Sequence, residues 1–241
     1  MPGLFKRKKK ASVPYCAAIV AAAGASTRME GADKIMLSLR EEPVIVHTLR
    51  ALEYCPYIQE IVVVTREDLI VPLSRLCSDY FLTKVRKVIL GGETRAHSVH
   101  LGMLEVSDQA ELIAIQDGAR PLVTLEVLEE VILTAAKCGA AAPAIPVKDT
   151  IKRAVGGVVE ETPDRSELFA VQTPQVFEAD LIRAALYRAM EENLPLTDDC
   201  SAVERMGMKV TLTRGSEENI KITTPADLAV AEALLDWRDR R

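Results

Sequence analysis

Cys16-Ala17-Ala18-Ile19-Val20-Ala21-Ala22-Ala23-Gly24-Ala25-Ser26-Thr27-Arg28 is the stretch that sets the fold. Its first half is an unbroken apolar run, as expected of a strand buried on both faces. Its second half is a loop of small side chains that leaves room above the strand end. In an open parallel sheet ligands sit at that end, where small residues let backbone N–H groups converge on phosphate oxygens. Gly24 can take the positive φ that such a nest requires. Arg28, and Lys34 after Glu30-Gly31-Ala32-Asp33, place two cations on the loop. A reaction that gathers charge on phosphate needs such cations, although on spacing alone the pair also reads as ordinary solvated charges. Neither the G-x-G-x-x-G fingerprint nor the G-x-x-x-x-G-K-[ST] loop is present, so hydride transfer and P-loop hydrolysis lose weight.

Outward from this stretch, short β-branched runs alternate with segments of helical period, the pattern of parallel strands joined by crossover helices. Strands are expected at 17–22, 61–64, 87–90, 112–115 and 140–145, with helices at 44–54, 67–78, 94–106 and 124–137. Thr94 and Thr124 are good N-caps, and Gly139 ends the fourth helix. From Pro146 to about Thr173 the period breaks. Residues 147–153 alternate, Gly156-Gly157 makes a turn, and Val158-Val159 with residues 169–172 can return. This reads as a β-arm projecting from the sheet. A hairpin with few neighbours is marginal in water, so a second copy of the chain is the expected support and a homodimer the expected assembly. Helices at 179–191 and 198–206, a strand at 209–213 and a helix at 225–237 complete the chain. The expectation is an α/β, Rossmann-like doubly wound, mostly parallel sheet. It would form one domain over 15–241, after a basic tail over 1–14.

Composition agrees. The chain has 241 residues, 49% of them hydrophobic but only 4% aromatic, which suits helices packed on a buried parallel sheet better than an aromatic-rich sandwich. A net charge of -5 argues against a protein-wide nucleic-acid footprint. Lys6-Arg7-Lys8-Lys9-Lys10 before an apolar run could open a signal peptide, but that run is short and Ala-rich, and cleavage would remove the loop just described. No segment reads as transmembrane. The five cysteines are far apart and form no C-x-x-C pair, so reduced core thiols are expected rather than a disulfide framework or a zinc site.

Two further strand ends carry polar motifs. Gly91-Gly92-Glu93-Thr94-Arg95 follows one strand, with Arg95 and Ser98 in the first turns of the next helix. Asp117-Gly118-Ala119-Arg120-Pro121 follows another, where the carboxylate could hold magnesium beside phosphates, accept from a sugar hydroxyl, or simply cap a turn. His47 reads as packing, and His97 with His100 lacks a third metal ligand nearby.

Taken in order, these pieces resemble the 2-C-methyl-D-erythritol 4-phosphate cytidylyltransferases. The resemblance is carried by Ala22-Ala23-Gly24 through Arg28-Met29 with Lys34, Gly91 to Arg95 with Ser98-Val99, Asp117 to Pro121, and Pro146 to Arg153. It continues through Arg165, Gln172-Thr173-Pro174-Gln175, Thr197-Asp198-Asp199 and Asn219-Ile220-Lys221-Ile222-Thr223. It spans nearly the whole chain from about residue 15, and the joint order is far more specific than any one motif.

What the resemblance implies is a nucleotide-diphospho-sugar transferase type of fold. The implied reaction is transfer of CMP from CTP to methylerythritol phosphate, releasing pyrophosphate, with magnesium on the CTP phosphates and no membrane or nucleic-acid partner, in the cytoplasm. By the same resemblance, Arg28, Lys34 and Lys221 are the catalytic cations. Ala22, Ala23, Gly24, Ser26, Gly92, Glu93, Ser98 and Gly118 contact the nucleotide. Asp117, Thr150, Arg165, Thr173 and Thr197 position the sugar phosphate, Thr150 and Arg165 reaching across from the partner's arm. A polyol phosphate such as ribitol 5-phosphate is the alternative acceptor, and a nucleotide-binding regulatory module without turnover the alternative class. Three departures stand out: Ser26 where many members have glycine, Ile35 where Gln is frequent, and Glu218 where Asp is frequent, the last implying altered sugar contacts.

Overall fold

The computed structural model describes residues 14–24 and 33–240. The basic tail, apart from Pro14, lies outside the described residues, and so do Ser26 and Arg28. The chain begins with β1 (Cys16–Ala21), a small hairpin of β2 (Ser38–Leu39) and β3 (Glu42–Pro43), and α1 (Val44–Tyr54). It continues through β4 (Ile58–Thr65), α2 (Glu67–Asp79), β5 (Val85–Leu90), α3 (Arg95–Leu104), β6 (Leu112–Asp117), α4 (Leu125–Cys138) and β7 (Ala140–Pro146). The arm is β8 (Arg153–Val155) and β9 (Val158–Glu161), followed by one 3-10 turn (Arg165–Glu167), β10 (Phe169–Val171) and β11 (Gln175–Glu178). Then come α5 (Ala179–Glu191), α6 (Asp199–Arg205), β12 (Thr211–Arg214) and α7 (Pro225–Asp239).

Eight strands form one sheet in the order β10-β7-β11-β6-β1-β4-β5, with β12 beside β7. The pairs β6-β1, β1-β4, β4-β5 and β7-β12 are parallel, whereas β11 runs antiparallel to both β6 and β7, and β10 antiparallel to β7. The mostly parallel sheet expected from the alternating pattern is therefore present. β11 is the strand the sequence did not announce: its four residues begin with a buried Gln175 just after Pro174, too short and too polar for a period-2 signal.

The apolar run of β1 is explained by cover on both faces. Ala18 and Val20 point into a core shared with α1, α2 and α4, while Ala17 and Ile19 point into a second core shared with α3, α5 and α6. Gly102 lets α3 approach the sheet, because a Cβ there would stand 2.7 Å from Ile19 Cγ2 and 2.9 Å from Val64 Cγ2.

The caps fall where the sequence placed them. Thr94 accepts from the His97 N–H, Thr124 from the Val127 N–H, and Gly139 closes α4 at φ 84°. Four cysteines are buried, but Cys138 is exposed at the end of α4, which corrects the expectation of a core thiol at every position. The arm is a hairpin whose two-residue loop, Gly156 at φ 58° and Gly157 at φ 82°, has the left-handed conformation such turns require. Every residue of β8 and β9 is exposed. Among the described residues no helix is long and apolar enough to cross a membrane.

Candidate active site

Three loops meet at the carboxyl ends of the central strands, and backbone hydrogen bonds sew them together. The Ala22 N–H donates to Val64 O at 2.8 Å, the Gly91 N–H to Thr65 O at 2.7 Å and the Gly118 N–H to Ala21 O at 3.0 Å. The small residues of this region are needed for that closeness. A Cβ on Gly91 would lie 2.7 Å from Ala23 Cβ and 2.9 Å from Ser98 Oγ, while one on Gly118 would lie 3.3 Å from both Ala21 O and Ala22 Cβ. Ser98 is buried, and its hydroxyl accepts from the Gly92 N–H at 3.1 Å, which fixes the second glycine turn over the start of α3.

Above these loops lies a cavity of about 280 Å³. Ala22, Ala23 and Gly24 line it from the first loop, Gly92, Glu93 and Ser98 from the second, and Asp117 from the third. Lys34 and Lys221 line the same cavity. Lys34 follows Asp33, whose carbonyl accepts from the N–H groups of Met36 and Leu37 and whose carboxylate pairs with Arg66 at 2.6 Å. Lys221 sits on a segment tied to the third loop by the Ile222 N–H, which donates to Ala119 O at 2.8 Å. Asn219 anchors the same segment through its Nδ2, which donates to Thr173 O at 3.0 Å.

Charge is concentrated at the floor. Asp117 is 7% exposed, and its Oδ2 stands 2.8 Å from Lys221 Nζ and 3.5 Å from Arg120 Nε. Its Oδ1 stands 3.6 Å from Arg95 Nη2. Burial pushes the Asp117 carboxyl up, but Lys221, Arg95 and Arg120 together outweigh it and hold the group below the usual carboxylate range. The Asp117 N–H donates to Thr173 Oγ1 at 3.1 Å, which brings Thr173 to the same floor. Arg95 also donates from Nη1 to Asp199 Oδ2 at 2.6 Å. Burial pushes the Asp199 carboxyl up, with Arg95 opposing.

The cavity thus combines small residues at three strand ends with two lysines and an ion-paired aspartate. A family model described as 2-C-methyl-D-erythritol 4-phosphate cytidylyltransferase matches residues 16–237. The chain belongs to this family. It is 46% identical over 221 residues to the cytidylyltransferase of that name from Caldanaerobacter subterraneus subsp. tengcongensis, covering 90% of this chain and 97% of the relative. It is 42% identical over 224 residues to the one from Halalkalibacterium halodurans, covering 92% and 98%. Among solved structures it resembles 4-diphosphocytidyl-2C-methyl-D-erythritol synthase from Anaerococcus prevotii, with a TM-score of 0.83 at 29% identity, covering 92% of this chain and 96% of that one. It also resembles the 2-C-methyl-D-erythritol 4-phosphate cytidylyltransferase of Thermus thermophilus, with a TM-score of 0.75 at 30% identity, covering 90% and 98%.

Of the residues expected from the sequence of this cytidylyltransferase family member, nine line the cavity, as named above, and Gly118 and Thr173 lie directly beneath it. Thr197 is exposed at the approach to α6. Thr150 and Arg165 are exposed on the arm and do not line the cavity, and Arg165 Nη1 donates to Lys148 O at 3.0 Å. Glu218 is joined to the last helix. Its carboxylate faces Arg238 Nε of α7 at 2.5 Å, and Arg238 Nη2 donates to Leu122 O at 2.7 Å, so the longer acid braces the Lys221 segment against the last helix. Ile35 is 2% exposed, an apolar part of the cavity wall. Arg95, which also lines the cavity, Arg120 and Asp199 lay within the quoted motifs but were assigned no role in the site. Arg95 and Asp199 are separated by 104 positions, and only the fold makes them partners.

A direct test of the small-residue requirement is Gly91→Ala. The added methyl would displace Ala23 or Ser98, an overpacking cost of about 1–3 kcal/mol. We expect KM for CTP to rise about tenfold or more, with a lowered melting temperature. Unchanged nucleotide kinetics would show that Ala23 and Ser98 do not shape the nucleotide's place.

Proposed function

We propose that this cavity is where the chain joins its two substrates, with Lys34, Lys221 and Arg28 as the cations that stabilise the reacting phosphates. The reaction is the CTP-dependent formation of 4-diphosphocytidyl-2-C-methyl-D-erythritol in the non-mevalonate route to isoprenoids. The observation that supports the site assignment is the convergence of Gly24, Gly92, Lys34, Asp117 and Lys221 on one cavity.

The chemistry asks little proton transfer of the protein. An oxygen of the methylerythritol phosphate attacks the α-phosphorus of CTP, the bond from that phosphorus to the bridging oxygen breaks, and its electron pair leaves with pyrophosphate. A phosphate monoester has its second pKa near ~6, so the nucleophile is largely ionised at neutral pH. No general base is required. The obstacle is the meeting of two anions and the charge that gathers on the α-phosphoryl oxygens, so alignment and positive charge supply the catalysis. In this reading the backbone N–H groups of Ala23 and Gly24 and the ammonium groups of Lys34 and Lys221 supply both, and all four residues line the cavity. Backbone groups around Gly92 and Glu93 would select cytosine, whose exocyclic amine donates where uracil accepts.

Among the described residues no three His, Cys, Asp or Glu side chains are grouped to hold a metal. Asp117 and Glu93 are the acidic residues among the described lining of the cavity, a sparse set that fits a magnesium ion arriving on the triphosphate and keeping most of its ligands from phosphate and water. Bound there, magnesium would neutralise charge between the phosphates.

The acceptor end is assigned to Asp117, Thr173 and Thr197, completed by Thr150 and Arg165 from the arm of a second copy. The arm exposes Ile151, Val155, Val158 and Val159, with Phe169 and Val171 at its base. Such a strip on an isolated hairpin favours a homodimer. Free cysteines accord with a reducing compartment, and we place the enzyme in the cytoplasm. Purified chain with CTP, magnesium and methylerythritol phosphate should release pyrophosphate, and turnover only with ribitol 5-phosphate would reject the acceptor.

A further inference from the structure

Arg95 begins α3 two residues beyond the Gly91-Gly92 turn, after Glu93 and Thr94, whereas Asp199 begins α6 just after Thr197 and Asp198. The start of α6 is itself fixed to the sheet by Gln175 of β11. Gln175 Oε1 accepts from the N–H groups of Asp199 and Cys200, both at 3.0 Å, and its Nε2 donates to Asp198 Oδ2 at 2.8 Å. Arg95 then closes the circuit, with Nη1 2.6 Å from Asp199 Oδ2 and Nη2 3.6 Å from Asp117 Oδ1. Among the described residues it is the one cation in ion-pair contact with both carboxylates.

A buried ion pair is a poor way to gain stability, because desolvation consumes most of the attraction and apolar residues of similar size do as well. The Asp199 side chain is 1% exposed and that of Arg95 33%, so the cost of this fastener between α3 and α6 falls mainly on the carboxylate. What it secures is geometry. It fixes the Thr197 end of α6 and the Asp117 carboxylate relative to the loop that carries Gly92 and Ser98.

We infer that Arg95 is a positioning residue that locks the acceptor side of the site, Asp117 and the Thr197 segment, in register with the nucleotide side. This rests on the reading of the cavity given under Proposed function. Arg95 acts through the two carboxylates. Without it, burial alone favours the protonated form of Asp199, and the Thr197 segment loses its charged tie.

The test is steady-state kinetics of pyrophosphate release with both substrates varied, on wild type, Arg95→Met, Arg95→Lys, Asp199→Asn and the double variant Arg95→Met with Asp199→Asn. Arg95→Met should raise KM for the polyol phosphate about tenfold and lower kcat about tenfold, while KM for CTP stays within about threefold. Asp199→Asn should reproduce that pattern. The double variant should be no worse than Arg95→Met alone, because the two residues work as one unit. Arg95→Lys, which keeps the charge but cannot span both carboxylates, should recover only part of kcat. A purely structural role would instead lower kcat in step with the folded fraction and leave both KM values unchanged. That result, effects of the two single changes that multiply, or a KM for CTP that rises as much as that of the acceptor would overturn the inference. Should Arg95→Met fail to fold, Asp199→Asn and the double variant, which carry no unpaired buried carboxylate, decide it by the same criteria. If wild type itself fails to turn over methylerythritol phosphate, the reading of the site fails first, which separates the two ideas.

Discussion

Lys221→Met is expected to lower kcat about 10²–10³-fold while changing KM for CTP by less than about fivefold. Methionine keeps much of the apolar stem, so the change removes charge more than volume. The ammonium lies 2.8 Å from Asp117 at the wall of the cavity, and we expect a bound phosphate to draw it away. That exchange is made tolerable by Arg95 and Arg120, which remain 3.6 and 3.5 Å from the same carboxylate. A cation whose attraction grows as charge gathers on the reacting phosphates affects turnover more than ground-state binding. Equal losses in both constants would instead mark Lys221 as a simple binding contact.

The same substitution has a pH signature. Asp117 is held below the ordinary carboxylate range, so its contribution to stability is fully present above the unfolded pKa of ~3.9 and is lost as pH falls through the lower folded value. Removing the nearest cation raises the folded value and shrinks that contribution. The melting-temperature gap between wild type and Lys221→Met should therefore be widest above about pH 5 and should close as the solution is acidified below the usual carboxylate pKa. A gap independent of pH would mean that the pair does not stabilise the folded state.

The second large effect concerns the arm. Lys34→Ala and Arg165→Ala should each be nearly inactive alone, yet a mixture refolded or exchanged at equal concentration should regain activity. Random pairing gives half mixed dimers, and in each of these one site receives both intact residues, so about a quarter of wild-type activity is expected. The apolar strip on the arm and the placement of Arg165 outside the cavity of its own chain motivate the experiment. Mixing without recovery, in a preparation shown by sedimentation to have exchanged subunits, would remove the crossed-arm arrangement.

Much of this architecture was legible in the chain because its signals are local. The unbroken run of β1 requires cover on both faces, Thr94 and Thr124 cap the helices they precede, and Gly156-Gly157 fixes the hairpin loop. β11 was not legible, since four residues beginning with a buried glutamine make sense only once Gln175 is seen to secure α6. The site divides in the same way. Small residues and lysines at strand ends declare themselves by type and place, so Gly24, Lys34, Gly92 and Asp117 could be named from motif order. The partners that tune them could not: Arg95 with Asp199, and Glu218 with Arg238, are joined by tertiary packing alone.

In the proposed site, a cage of cations at the end of β1 brings two phosphates together. A crystal structure with CTP and magnesium tests it most directly. We expect the α-phosphate over Ala23 and Gly24, within about 4 Å of the Lys34 ammonium and with Lys221 drawn off Asp117. An α-phosphate bound away from both lysines, with Lys221 still resting on Asp117, would contradict it.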